Sequence, residues 1–233
     1  MELAETLYES FLMMLERPQL FIPRLVSTVL GSVLIIGWIT EMVSTKLFFL
    51  LVPIDLIIAS FAPVMVASMV KQENRKDILM KGFRETLGHW KPVIGLAAIT
   101  LLLSFITALP LGIGASAYLI TDKLIYALIG GILSLTIVFA VAFGLYFVPI
   151  TIIESGRLSK SLSNSFKTSS KNRAEVTALV LFSLAVLVFS SMMTGILRDI
   201  GLAVFFTGRV ISSVVGTYIL VISPNYYLKG AEN

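Results

Sequence analysis

Six apolar runs dominate the chain: Leu20–Thr40, Leu47–Val70, Val93–Leu109, Leu124–Ile153, Val176–Leu197 and Leu202–Leu228. A helix needs about 20 mostly apolar residues to cross the hydrocarbon core of a bilayer. The runs are continuous rather than alternating with period two, which excludes a transmembrane β-barrel. The third is short as written, with apolar sequence beyond Pro110, toward Leu119, into which it can extend. Within that stretch Pro110 and the glycines of LPLGIGAS (109–116) predict a helix end and turn. The fourth and sixth runs exceed the length needed, which predicts tilt or protruding ends.

The connections between runs alternate in kind. Two are long and basic: one carries Lys71, Arg75, Lys76, Lys81, Arg84 and Lys91, the other Arg157, Lys160, Lys167, Lys171 and Arg173. The remaining three are short, with Lys46, Lys123 and Arg198 as their basic residues. Cytoplasmic loops carry the Lys/Arg excess. That rule places the two long loops, and with them both termini, in the cytoplasm.

Amphipathic stretches recur with a Leu and a Phe four residues apart: Leu7–Phe11, Leu79–Phe83 and Leu162–Phe166. Residues four apart share a helix face. Each stretch has a charged or polar back, and such a helix suits the plane of the membrane interface. Each is followed by two apolar runs, and the second run of each pair carries a proline near its cytoplasmic end: Pro63, Pro149 and Pro224. The pattern reads as a single membrane domain of three repeat units, 1–70, 71–153 and 154–233. The expected fold is all-α: a polytopic membrane protein of six spans, each hairpin fed by an interfacial helix. The first stretch is acidic, so anionic headgroups would repel it, and packing of its Glu residues on Lys or Arg is the alternative.

Composition agrees. Of 233 residues, 57% are hydrophobic and 14% charged, and the mean hydropathy is +0.93. Soluble domains carry about 25% charged residues. The net charge of +4 therefore matters through its placement in loops and does not point to nucleic acid. There is no Cys, hence no disulfide or thiolate chemistry. Glu2, Glu5, Glu9 and Glu16 have the wrong sign for a signal-peptide n-region, so the first apolar run reads as a retained helix.

The segment YFVPITIIESGRLSKSLSNSFKTSSKNRAEV resembles the cytoplasmic loop of the membrane domain attached to some glycerophosphodiester phosphodiesterases, and of related multi-pass families of bacteria and archaea. The matching positions are Glu154, Gly156, Ser165–Phe166 and Lys171–Asn172. The opening ESFLMMLERPQLFIPRLV fits the start of such families, and over that segment alone is similar also to bacterial sulfate-permease proteins. The resemblance implies a six-helix membrane module. It implies no activity, because phosphodiesterase chemistry belongs to a separate catalytic domain.

Candidate chemistry is sparse. His89 is the only His, and with no Cys it cannot form an ordinary zinc site. No phosphate loop, HExxH or GxSxG is present. No cofactor, no metal and no catalytic residue is expected. Asp55 stands out, because it lies about 12 Å into the second run. A charge at mid-bilayer costs at least about 2.5–3.5 kcal/mol and normally faces a partner or water. It reads either as an ion, proton or substrate site or as a structural hydrogen-bonding group. Arg209 is its candidate partner when depths are counted from the outer ends. Counted from the repeated prolines, Arg209 snorkels at the outer interface instead. Pro53, Pro63, Pro149 and Pro224 each free a backbone carbonyl within a span, as hinges or as static kinks.

Three function classes follow. The first is a transporter, channel or lipid-moving protein with a pathway at Asp55 and Arg209. The second is a non-catalytic membrane module that assembles with partners or organises lipid, supported by the basic face and the absence of other intramembrane polar residues. An intramembrane enzyme would need a second catalytic group near Asp55, and none is evident. The expected partner is the bilayer, with anionic lipid at the cytoplasmic face of the cell membrane, together with a second copy or another membrane protein. Headgroup contacts are expected at Lys76, Lys81, Arg84, Trp90, Lys91, Lys160, Lys167, Lys171 and Arg173.

Overall fold

The computed structural model describes residues 3–72 and 77–232, with the backbone alone at 198, 199, 231 and 232. The described chain is helical throughout. Its elements are α1 (Leu3–Glu16), a 3-10 turn (Pro18–Leu20), α2 (Phe21–Ile39), α3 (Thr45–Lys71), α4 (Ile78–Gly88), α5 (Trp90–Thr121), α6 (Leu124–Leu145), α7 (Val148–Ser155), α8 (Leu158–Lys171), α9 (Arg173–Ile200) and α10 (Leu202–Glu232). Six of these segments are long and apolar enough to cross a membrane: Pro18–Ile39, Thr45–Lys71, Trp90–Thr121, Leu124–Ser155, Arg173–Leu197 and Leu202–Gly230. The architecture is that of a multi-pass helical membrane protein.

The third span corrects one expectation. LPLGIGAS forms no turn: α5 runs unbroken through Pro110 to Thr121. The reason lies on the facing helix. Ser134 of α6 inserts its hydroxyl into the α5 ladder, accepting from the Leu111 N–H at 3.1 Å and donating to the Thr107 carbonyl at 2.7 Å. Backbone groups freed in a bilayer must find such partners, and here a neighbouring side chain supplies them. The glycines serve contact rather than turning. A Cβ on Gly130 would stand 2.4 Å from the Pro110 carbonyl oxygen, and one on Gly114 2.5 Å from that of Tyr126. Close backbone approach of this kind needs small residues.

The fourth span does break, at Tyr146–Phe147, and α7 restarts with Pro149 in its first turn, where a missing N–H costs least. The backbone groups released there are taken by α8. The Phe147 N–H donates to Ser165 Oγ (3.1 Å), Ser165 Oγ donates to the Gly144 carbonyl (2.8 Å), and Ser169 Oγ donates to the Phe143 carbonyl (2.8 Å). Pro53, Pro63 and Pro224, by contrast, lie inside continuous helices.

Each short helix packs on a proline-bearing segment. Helix α1 meets α10, where Asn225 Nδ2 donates to Ser10 Oγ at 3.0 Å. Helix α4 meets α3, where a Cβ on Gly82 would collide with the Met69 side chain at 2.5 Å. Helix α8 meets α6 and α7 through the serine bonds above. The buried rows are mostly small or polar, with Met14 and Ile78 the large apolar members: Thr6, Ser10 and Met14; Ile78, Gly82 and Thr86; Ser161, Ser165 and Ser169. The expected Leu–Phe stripes lie beside these rows. Leu7, Leu79 and Leu162 pack at the edges of the three core clusters, while Phe11, Phe83 and Phe166 are exposed.

These contacts place the core at one end of the bundle, the end that carries the basic loops. Val64, Val66, Phe147, Ile150, Ile152 and Ile222 are fully buried there. Toward the other end the spans present Phe49, Leu50, Phe105, Ile113, Leu119 and Ile120, all more than half exposed. Only a bilayer makes such a surface stable in bulk.

Candidate functional site

Helices α2, α3 and α10 pack against one another, and their shared seam holds three ionisable side chains. Small residues make room for each. The Asp55 carboxylate lies against Gly31, whose absent Cβ would be 3.2 Å from Oδ2. On the next residue of α2, Ser32 Oγ accepts from Arg209 Nε at 3.2 Å and donates to the Thr28 carbonyl at 2.6 Å. Two turns along α2, Arg24 lies against Gly216 of α10, where a Cβ would stand 3.2 Å from Nε. The Arg24 Nε is buried without a hydrogen-bond partner.

Asp55 and Arg209 therefore occupy one level of the bundle, tied to neighbouring residues of α2, and Arg24 lies below them. By helical rise Asp55 sits about 15 Å from the start of its span and Arg209 about 10 Å from the start of its own. Arg24 is about 9 Å in from Pro18. Arg209 is near enough to interact electrostatically with both Asp55 and Arg24. Among the described residues, neither arginine has a carboxylate at ion-pair distance; the ion pairs shown are those of Lys229 with Glu5 and Glu9. All three groups are half-buried rather than sealed.

Arg24 is the residue that reading the sequence passes over. Close to the end of an apolar run, it has the spacing of a side chain that reaches back to the headgroups. Its placement against Gly216, 192 positions away, leaves no local signal in the chain. Its place within the Pro18–Ile39 span also corrects the expectation that other intramembrane polar residues are absent.

The other sequence candidates sit elsewhere. His89 donates its Nδ1–H to the Glu85 carbonyl at 2.8 Å and faces Gly156, whose left-handed conformation (φ 64°) ends α7. Lys81, Arg84, Trp90, Lys91, Lys160, Lys167, Lys171 and Arg173 are exposed at the basic end, with the Lys91 ammonium 5.6 Å from the Trp90 ring centre. Lys76 lies outside the described residues. Carboxylates at this end are held by hydroxyls: Glu85 by Ser68 (2.5 Å), Glu154 by Tyr227 (2.7 Å), and Glu175 by Tyr226. Among the described residues no group of three or more His, Cys, Asp or Glu could hold a metal ion.

A lateral cavity of about 790 Å³ opens on the flank of α2, α3 and α4. Its lining is mostly apolar, with Ile22, Val26, Ile58, Phe61 and Phe83 among its walls and Gln19 and Asp77 as its polar members, and it does not include the charged seam. Comparison with known proteins returns no matching family model, no matching curated protein and no matching solved structure.

Proposed function

We propose that the protein moves a polar or amphipathic solute across or within the cell membrane, as a transporter, channel or lipid-moving protein, with the α2–α3–α10 seam as its polar site. The observation that carries this reading is the convergence of Asp55, Arg209 and Arg24 from three different spans. Ionisable side chains inside a membrane are expensive and mark pathways more often than scaffolds. None of the three is consumed by an ion pair, so each remains available to a passing group. The termini and basic loops face the cytoplasm in this reading, and the exposed lysines and arginines there contact anionic lipid. No catalytic step is assigned.

The test uses the absence of Cys. Asp55→Cys is made in vesicles and treated with a membrane-impermeant maleimide, with Thr121→Cys as an exposed control. Rapid labelling from one side supports a water-accessible site, and loss of flux in Asp55→Asn supports its use. An Asp55→Cys that stays unlabelled while the control reacts refutes the pathway.

A second reading has one observation in its favour. The apolar flank cavity beside α4 suits an acyl chain or a partner helix, as a membrane module that organises lipid or assembles with other proteins would need. An unlabelled Asp55→Cys would leave that reading in front.

A further inference from the structure

We infer that the α2–α3–α10 seam is a binding site for an oxyanion, a phosphate or carboxylate group, gripped by the guanidinium groups of Arg24 and Arg209. The inference names the ligand class of the site proposed above and rests on that reading for the seam being open to an occupant. It does not depend on the occupant being moved.

The argument is a charge balance. Two guanidinium groups and one carboxylate share the seam, so it holds an excess of positive charge. A buried lysine can shed its proton to escape such a position, but a guanidinium stays charged under all ordinary conditions. Arg24 is half-buried, and its Nε is enclosed against Gly216 without a partner. Neither arginine has a carboxylate at ion-pair distance among the described residues. Asp55 shares the level of Arg209 but is held against Gly31. A negative group from outside the chain would balance this excess. The donors suit an oxyanion: a guanidinium is a planar fork that meets two oxygens at once. Gly31, Ser32 and Gly216 keep the surrounding walls small, and Arg24 keeps an unused donor in the interior. Asp55 beside the site repels an anion, and so makes its release easier.

The group can arrive on a lipid headgroup or as a free solute, and the test separates the two. The full chain, purified in uncharged detergent, is titrated with inorganic phosphate against chloride at matched ionic strength. It is titrated separately with short-chain phosphatidylglycerol against short-chain phosphatidylcholine. Binding is read as a ligand-dependent rise in Tm. Stabilisation by phosphate assigns a free solute, and stabilisation by phosphatidylglycerol alone assigns a lipid headgroup; both support the inference. Arg24→Gln and Arg209→Gln should each weaken the apparent affinity roughly tenfold or more, the value of a charge-assisted hydrogen bond. Asp55→Asn should bind at least as tightly as the parent. If Arg24→Gln does not fold, Arg24→Lys keeps the charge, loses the fork and should still weaken binding. No stabilisation by either anion overturns the inference, as does an affinity that survives both arginine substitutions, which would trace to the basic loops. An unlabelled Asp55→Cys alongside intact anion binding would sink the transport reading and leave this site standing. A labelled Asp55→Cys with no anion binding would do the reverse.

Discussion

Ser165→Ala is the substitution whose cost can be worked out most fully. The Phe147 N–H sits at the break between α6 and α7 in a side chain and backbone region with no solvent exposure. In a continuous helix it would bond to the Phe143 carbonyl, but Ser169 occupies that acceptor, and Pro149 starts a new helix two residues later. Ser165 Oγ is its partner, and the same hydroxyl covers the Gly144 carbonyl. Removing it strands one buried donor, at about 1–3 kcal/mol, and releases one acceptor, at about 1 kcal/mol. We expect a loss of about 2–4 kcal/mol, roughly a 30- to 900-fold shift in the unfolding equilibrium. Ser169→Ala releases only a carbonyl and should cost about 1 kcal/mol. The assay is reversible unfolding in mixed micelles followed by far-UV circular dichroism. A cycle with Pro149→Ala isolates the mechanism, because restoring that N–H lets the helix re-form across the break. In that background Ser165→Ala should cost less by about 1 kcal/mol or more. A Ser165→Ala protein within about 0.5 kcal/mol of the parent, or one equally damaged with and without Pro149, would refute the assignment.

Three further outcomes follow from the packing. Gly130→Ala drives a methyl into the Pro110 backbone and should cost about 2–3 kcal/mol, whereas Gly131→Ala, with open space around it, should stay within about 1 kcal/mol; equal effects would mean that α5 and α6 are not in contact. Replacing Lys160, Lys167 and Lys171 with Gln should lower enrichment of phosphatidylglycerol around the reconstituted protein by about 1 kcal/mol per residue at low salt, an effect that 1 M salt should erase. Glu9→Gln removes a half-buried ion pair with Lys229 at the end of the bundle and should change stability by no more than about 1 kcal/mol, so a larger loss in micelle unfolding would show that α1 depends on that pair to dock.

The spans are legible in the chain because membrane insertion sums a small preference over about 20 residues, and no single position decides it. The short helices are legible for the same reason on a smaller scale, through Leu and Phe at helical spacing. What is not legible depends on a partner far along the chain. Pro110 reads as a stop because a proline leaves backbone groups unmet, yet the helix continues because Ser134 meets them from α6. Apart from Met14, the buried rows of α1 and α8 are Ser and Thr, residues that a hydropathy pattern assigns to the polar side. In α8 the three serines pair with main-chain groups of α6 and α7, and in α1 Ser10 accepts from the Asn225 side chain of α10. Asp55 is visible as a charge inside an apolar run, but the level it shares with Arg209 follows from the pairing of Gly31 and Ser32 across two helix interfaces.

The order of docking also explains why the charges gather in one seam. Helix α4 packs on α3, α8 packs on α6 and α7, and α1 packs on α10. Each short helix thus covers the end of a span that precedes it, except α1, which must reach the last helix of the chain. That contact closes the assembly and brings α10 against α2, setting Arg24 against Gly216 and Arg209 against Ser32. The α5–α6 contact, within one hairpin, is bridged by a serine and close glycines. The α9–α10 contact is bridged by hydroxyls, with Ser190 donating to Ser212 at 2.6 Å. Such contacts are short-range, and the hydroxyls that bridge them are paired in place. The closing seam gathers two arginines and one aspartate, leaves the Arg24 Nε without a partner, and joins helices from the two ends of the chain. A helix interface that holds two arginines without an ion pair is a poor permanent bond. It is therefore the seam at which an arriving anion would have the most to contribute, and at which the bundle has the least to lose by parting.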